Sequence, residues 1–221
     1  MKLLMNGLIK FTCGLVLVGL LLFLPAGTLA FAKGWLLLGL LFGPMLIAGF
    51  VMFFKSPDFL AKRLDVKEKR GSQKGVVGLS GLMFIAGFVV AGLDFRFGWS
   101  VMQKPVTITA SVLFLAAYAL YAEVMRENAY LSRTIKVEEG QKVVDTGLYG
   151  IVRHPMYMAT LLLFTMMPIV LGSWYALLVF ALYPPIIVAR LLDEEELLTR
   201  ELPGYAAYKK KVKYRILPYV W

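Results

Sequence analysis

The stretch Asp145-Thr-Gly-Leu-Tyr-Gly-Ile-Val-Arg-His-Pro-Met-Tyr157 decides how this chain is read. It holds the only histidine of the protein, His154. It also marks a boundary: a polar segment, 126–153, gives way to an apolar run that begins at Met156. Proline suits the first position of a helix, where its missing N–H costs nothing and its φ is already correct. The motif therefore predicts a helix from Pro155, with His154 as its N-cap. The free amides of the first turn, from Met156 and Tyr157 onward, would point back at the polar segment with a partial positive charge. Arg153 and His154 add donors. A helix start of this kind holds a carboxylate or phosphate, so the active site is expected here.

Outward from the motif, the chain is too apolar for a soluble domain. Of 221 residues, 59% are hydrophobic, against roughly 45–50% in soluble proteins, and the mean hydropathy is +0.72. Apolar segments fall at about 11–31, 34–54, 76–97, 105–125, 156–171 and 174–189. A spanning helix needs about 20 residues; the first four segments qualify and the last two are shorter. The expected architecture is an all-α integral membrane bundle of about six helices, the last two forming a short helical hairpin or two partial spans. We read 1–221 as a single membrane domain, with four N-terminal spans in 1–125 and a catalytic half in 126–221.

The net charge of +10 records topology rather than nucleic-acid binding. With the N-terminus inside, 21 of the 24 Lys and Arg fall on the cytoplasmic side; only Lys33, Arg96 and Lys104 fall outside. This is the positive-inside asymmetry, and it also favours contact with anionic lipid. Both termini are expected to be cytoplasmic. Ala30-Phe-Ala32 before Lys33 resembles a signal-peptidase site, yet the preceding apolar run exceeds the roughly 7–15 residues of a signal core. A retained helix is expected. The single cysteine, Cys13, excludes an intrachain disulfide, and one His with one Cys would leave a zinc site to carboxylates, so no metal is expected.

Several local features complete the pass. Part of 55–74 is expected to lie as a surface helix. Pro44 and the glycines of the second segment suggest a kink and close helix contact. Glu139-Gly140 reads as a turn, suited to a small hairpin. Pro168 and Pro184-Pro185 interrupt the last two apolar stretches, which break at Gly172-Ser173. Pro203-Gly204 stops the final helix. The tail from Tyr205 to Trp221 mixes lysines and aromatics, the pattern of an interface anchor, and its tyrosines are placed to close over a cofactor.

The second half of the site is expected in Arg190-Leu-Leu-Asp-Glu-Glu-Glu-Leu-Leu-Thr-Arg-Glu-Leu202. Residues three and four apart share a helix face. Leu191, Leu192, Glu195, Leu198 and Leu202 then form one stripe, and Asp193, Glu196 and Arg200 another. Glu195 is thus predicted on the packed face, where a carboxylate needs a partner: Arg153, His154 or the amino group of a bound cofactor. Glu196 is expected to pair with Arg200.

These residues resemble a known family. Gly147-x-Tyr149-x-x-x-Arg153-His-Pro-x-Tyr157, followed by Glu195-Glu196 and then Gly204-x-x-x-Tyr208, is similar to the isoprenylcysteine carboxyl methyltransferase family, whose wider group includes phospholipid methyltransferases and sterol reductases. The resemblance covers about 128–208 and includes Glu138, Gln141 and Val143-Val144; the first four spans match only in being apolar. It implies S-adenosylmethionine as methyl donor, a cytoplasmic cofactor pocket, and a lipophilic acceptor entering from the bilayer. The implied cofactor-binding residues are Gln141, Gly147, Tyr149, Arg153, His154, Pro155, Tyr157, Glu195, Glu196 and Tyr208. Arg153 and His154 suit the cofactor carboxylate, Glu195 the ammonium or ribose hydroxyls, and Tyr149 and Tyr157 the adenosine. A carboxylate acceptor needs only an orienting Arg, Arg126 or Arg190. An amine, thiol or phenol needs a base, His154 or Glu123. The alternatives are an NADPH-dependent sterol-reductase-like enzyme, suggested by the ending Tyr214-Arg-Ile-Leu-Pro-Tyr219, and a non-catalytic accessory protein. The helix-face reading also predicts that Glu195→Ala abolishes cofactor binding while Glu194→Ala does not.

Overall fold

In lipid, backbone N–H and C=O groups have no water to bond, so apolar runs of this length close their hydrogen bonds within themselves and form helices. The computed structural model describes residues 2–65, 71–132, 134–135 and 137–221. Its helices are α1 (Lys2–Ala26), α2 (Ala32–Lys55), α3 (Pro57–Leu64), α4 (Gly71–Phe97), α5 (Lys104–Glu127), α6 (Pro155–Leu171), α7 (Trp174–Phe180), α8 (Tyr183–Glu201) and α9 (Tyr205–Lys211), with a 3-10 turn at Gly147–Gly150. No strand occurs among the described residues, so the turn at Gly140 carries no hairpin ladder there.

Five segments are long and apolar enough to cross a membrane: α1, α2, Gln73–Phe97 of α4, α5, and Trp174–Glu201, which joins α7 to α8. The protein is a multi-pass membrane protein. The sixth apolar run forms a helix too, but α6 has only 17 residues, about 26 Å of rise against a hydrocarbon core of about 30 Å. The expected hairpin of two short elements is therefore one short helix followed by one long, broken span. The break lies at Ala181 and Leu182, just ahead of Pro184 and Pro185. These prolines lie in the first turn of α8, where proline costs no hydrogen bond.

Packing sorts the helices. α5 and α6 make the most extensive helix pair. One apolar core runs through Leu22, Leu37, Phe114, Met167, Val170, Leu191 and their neighbours. Large side chains such as Leu24, Ile47 and Leu82 remain on the outside, as lipid-facing residues should. At Gly92 an added Cβ would stand 2.5 Å from the Leu22 carbonyl oxygen, so α1 and α4 meet at a position with no room for a side chain. In contrast, Gly39, Gly43 and Gly49 of α2 have nothing packed against them.

Each end of the bundle is tied by a polar node. At one end the buried Asp94 accepts from Ser100 N at 2.7 Å, from Ser100 Oγ at 2.6 Å and from Ser173 Oγ. Ser173 also caps α7, accepting from Ala176 N at 2.9 Å. This fixes the turn between α6 and α7, where Gly172 adopts φ +78°. The opposite end carries α3, the 128–154 segment, α9 and the C-terminal tail.

Candidate functional site

The motif is held by the end of the chain. Pro155 opens α6 with His154 as N-cap, as the spacing predicts. Yet the tip is not left open. Arg153 N donates to Tyr214 O at 2.9 Å and His154 N to Arg215 O at 2.8 Å, so the tail lies alongside it. Tyr157 N is taken up by His154 O at 3.0 Å. The first turn therefore offers fewer free amides than the sequence suggests.

Beneath this seam lies a buried clasp. Glu195 Oε1 accepts from Arg153 Nε at 2.6 Å and stands 3.2 Å from His154 Nε2; its Oε2 accepts from Arg215 Nε at 3.1 Å. Arg153 also donates Nη1 to the Val212 and Lys213 carbonyls at 2.8 and 2.9 Å. Arg153, His154 and Glu195 are all more than nine-tenths buried. Both Glu195 oxygens are thus spent on protein partners. Its place on the packed face is as predicted, and each of its oxygens already has a cationic partner.

A cavity of ≈ 850 Å³, counting the open water at its mouth, lies beside the clasp. Its walls include Leu131, Val143, Val144, Leu198 and Leu202, the tyrosines 130, 149, 157, 205 and 208, and the polar residues Asn128, Gln141, Lys142, Arg153, His154, Arg190 and Glu194. Of the acidic run, it is Glu194 that faces this space. Its Oε2 accepts from the Tyr157 hydroxyl. Consecutive helical residues lie about 100° apart on the wheel, so with Glu195 turned into the clasp, Glu194 is turned toward α6 and the cavity. Tyr157 in turn stacks on the His154 ring, centroids 5.6 Å apart.

The 128–150 wall is positioned by α5. The Glu127 carboxylate accepts from Leu148 N at 3.2 and 3.0 Å, and Asn128 Nδ2 donates to the Tyr149 hydroxyl at 2.9 Å. Gly147 has φ +51°, and a Cβ there would lie 1.4 Å from Glu127 Oε1. Two ion pairs pin the segment, the part-buried Lys62 to Glu138 at 2.6 Å and the exposed Lys211 to Asp145 at 2.7 Å. Lys211 holds the Asp145 carboxyl below the usual carboxylate range. On the far wall, Tyr208 donates to Tyr149 O at 2.7 Å. Burial pushes the Tyr149, Tyr205 and Tyr208 phenols up, so they stay protonated.

The residues singled out from the sequence divide into three groups. Gln141, Tyr149, Arg153, His154, Tyr157, Arg190 and Tyr208 line the cavity, although the Gln141 amide oxygen also closes its own turn by accepting from Glu138 N at 2.9 Å. Gly147, Pro155 and Glu195 support the wall from behind. Glu196 and Glu123 lie elsewhere: Glu196 is exposed, and Glu123 is engaged by Arg126 at the surface, Nη2 to Oε1 2.5 Å. Arg200 pairs with its neighbour Glu201 at 2.8 Å rather than through the expected bond to Glu196. The residues singled out for the site omit Asn128 and set Glu194 aside, and Tyr205 enters only among the tail tyrosines expected to close over a cofactor. For Glu194 the signal was available: in a run of three acids, burying the middle one turns a neighbour toward the adjoining helix.

Fold and cavity together define a class: a multi-pass helical membrane protein with an amphiphilic, solvent-open cavity at one end of its bundle. Residues 106–200 match the model of the isoprenylcysteine carboxyl methyltransferase (ICMT) family. That segment is similar to this family of membrane methyltransferases, and the resemblance read from the motif is borne out. The matched segment spans nearly all of α5 through α8 and includes every cavity-lining residue up to Leu198.

Proposed function

We propose that the cavity binds S-adenosylmethionine and that the protein transfers its methyl group to a lipophilic acceptor, an isoprenylcysteine-like carboxylate or another membrane lipid, at the cytoplasmic face. The observation that carries this reading is the coincidence of the family segment with the cavity wall. The wall also suits the cofactor chemically. The aromatic and aliphatic surfaces of Tyr149, Tyr205, Leu198 and Leu202 match an adenosine. The Glu194 carboxylate matches an ammonium or ribose hydroxyls. Lys142 and Arg190 are cations for a carboxylate.

When bound, the cofactor supplies a methyl group on a sulfonium, itself a good leaving group. The remaining work is alignment in a dry site. Arg190 is the residue placed to orient an acceptor anion. It lines the cavity, and its Nη1 donates to the buried Gln73 Oε1 at 3.0 Å, which holds the guanidinium against α4. A carboxylate acceptor oriented in this way needs no base. Glu123 is not positioned to act as one, and His154 Nε2 already faces Glu195. Arg153 and His154 of the clasp form part of the cavity wall. Under this reading the C-terminal half, 126–221, is the catalytic half and 1–125 anchors it.

The test is to titrate purified protein with S-adenosylhomocysteine and, separately, NADPH, then to incubate it with labelled methyl donor and total lipid extract. Binding of S-adenosylhomocysteine with label transferred to a lipid supports the reading. Binding of NADPH alone points to a reductase, and binding of neither to an accessory protein.

A further inference from the structure

Five tyrosines line the cavity, and four have hydroxyls engaged by the protein. Tyr157 donates to Glu194, Tyr208 to Tyr149 O and Tyr130 to Gly140 O at 3.5 Å, while Tyr149 accepts from Asn128. Tyr205 differs. It is only 4% exposed, its ring packs on Tyr208 at 5.6 Å between centroids, and its hydroxyl is buried with no partner among the described residues.

That is a costly arrangement unless something else supplies the acceptor. A buried, unbonded hydroxyl costs about 1–3 kcal/mol, and most buried polar atoms in folded proteins are satisfied. A phenylalanine would fill the same space at no such cost. The surroundings indicate which part of a ligand arrives. Tyr205 belongs to an apolar cluster with Leu202, Tyr208 and Val212, against which Val143 and Leu198 pack. Charged side chains lie nearby as well, with Glu195, Glu194 and Arg153 acting on its phenol. The rings and aliphatic side chains of the cluster suit a flat ligand portion that carries isolated acceptor atoms.

We propose that Tyr205 is a cofactor-contacting residue whose hydroxyl donates a hydrogen bond to an oxygen or ring nitrogen of the bound nucleoside. This rests on the reading of the cavity as an S-adenosylmethionine site. It adds a residue beyond the matched family segment, and it assigns that residue to the adenosine end rather than the amino-acid end.

The experiment compares wild type with Tyr205→Phe in detergent, using two probes: S-adenosylhomocysteine, and 5′-methylthioadenosine, which lacks the amino-acid portion. Tyr205→Phe keeps the ring, so without ligand it melts at the wild-type temperature or slightly above. Calorimetric titration is expected to show both probes bound about threefold to tenfold more weakly, by the same factor. Unchanged affinity for both overturns the proposal. Loss confined to S-adenosylhomocysteine also overturns it, because the contact would then lie on the amino-acid portion. If wild type binds neither probe, the cofactor reading itself fails and the proposal falls with it; the wild-type titration separates the two failures. A drop in the ligand-free melting temperature of Tyr205→Phe shows instead that the hydroxyl serves the fold, and likewise overturns the proposal.

Discussion

Arg153 Nε and Glu195 Oε1 lie 2.6 Å apart, both buried, joining the start of α6 to the middle of α8. The Arg215 side chain and the Val212 and Lys213 carbonyls complete the shell from the tail. A buried pair of this kind is weak evidence of net stabilisation, but breaking one side leaves an uncompensated charge, at a cost of about 3–5 kcal/mol.

Glu195→Ala is therefore expected to act on the fold. Thermal denaturation in detergent should show a large drop in melting temperature, with a smaller drop for Glu195→Gln, which retains an acceptor for Arg153. If Glu195→Ala melts like wild type and loses only ligand binding, the clasp is a ligand site and not a brace.

Glu194→Gln is expected to behave in the opposite way. Glu194 faces the cavity and has the Tyr157 hydroxyl as its bonded partner. The substitution should leave the melting temperature nearly unchanged and weaken S-adenosylhomocysteine about tenfold or more, as loss of a charged hydrogen bond of roughly 1.5–3 kcal/mol implies. Binding equal to wild type by calorimetry would remove Glu194 from the site. This ordering of the two acids reverses the one expected from the helix wheel.

Gly147→Ala tests the wall. The backbone there is left-handed at φ +51°, and the new methyl would collide with the Glu127 carboxylate that caps the 3-10 turn. Strain in that region costs on the order of 1–3 kcal/mol, before the displacement of Glu127 is counted. The expected result is faster proteolytic cleavage in 128–150 together with weaker ligand binding. Cleavage at the wild-type rate would show that the turn tolerates a side chain.

Orientation in the membrane is open to direct labelling. In a Cys13→Ser background, Lys104→Cys should react with an impermeant maleimide on intact cells, and Lys142→Cys only after permeabilisation. The reverse pattern would place the cavity on the outer face.

The sequence alone was enough for the class of fold, because lipid imposes one solution on a run of twenty apolar residues: a helix. It also carried the helix start at Pro155, the burial of Glu195 and the family resemblance, since proline chemistry, a period of 3.6 and a short motif are all local. The length of α6, the join of α7 to α8 and the placing of Pro184 and Pro185 at a helix start depended on where neighbouring helices end. The roles of Glu194 and Glu195 depended on the tertiary structure for a sharper reason. Helix periodicity says which side of α8 is inward, but not what waits there. Arg153 and His154 meet Glu195 as the sequence suggested, but only the return of the tail across the α6 tip adds Arg215 to its second oxygen, while its neighbour Glu194 faces the cavity.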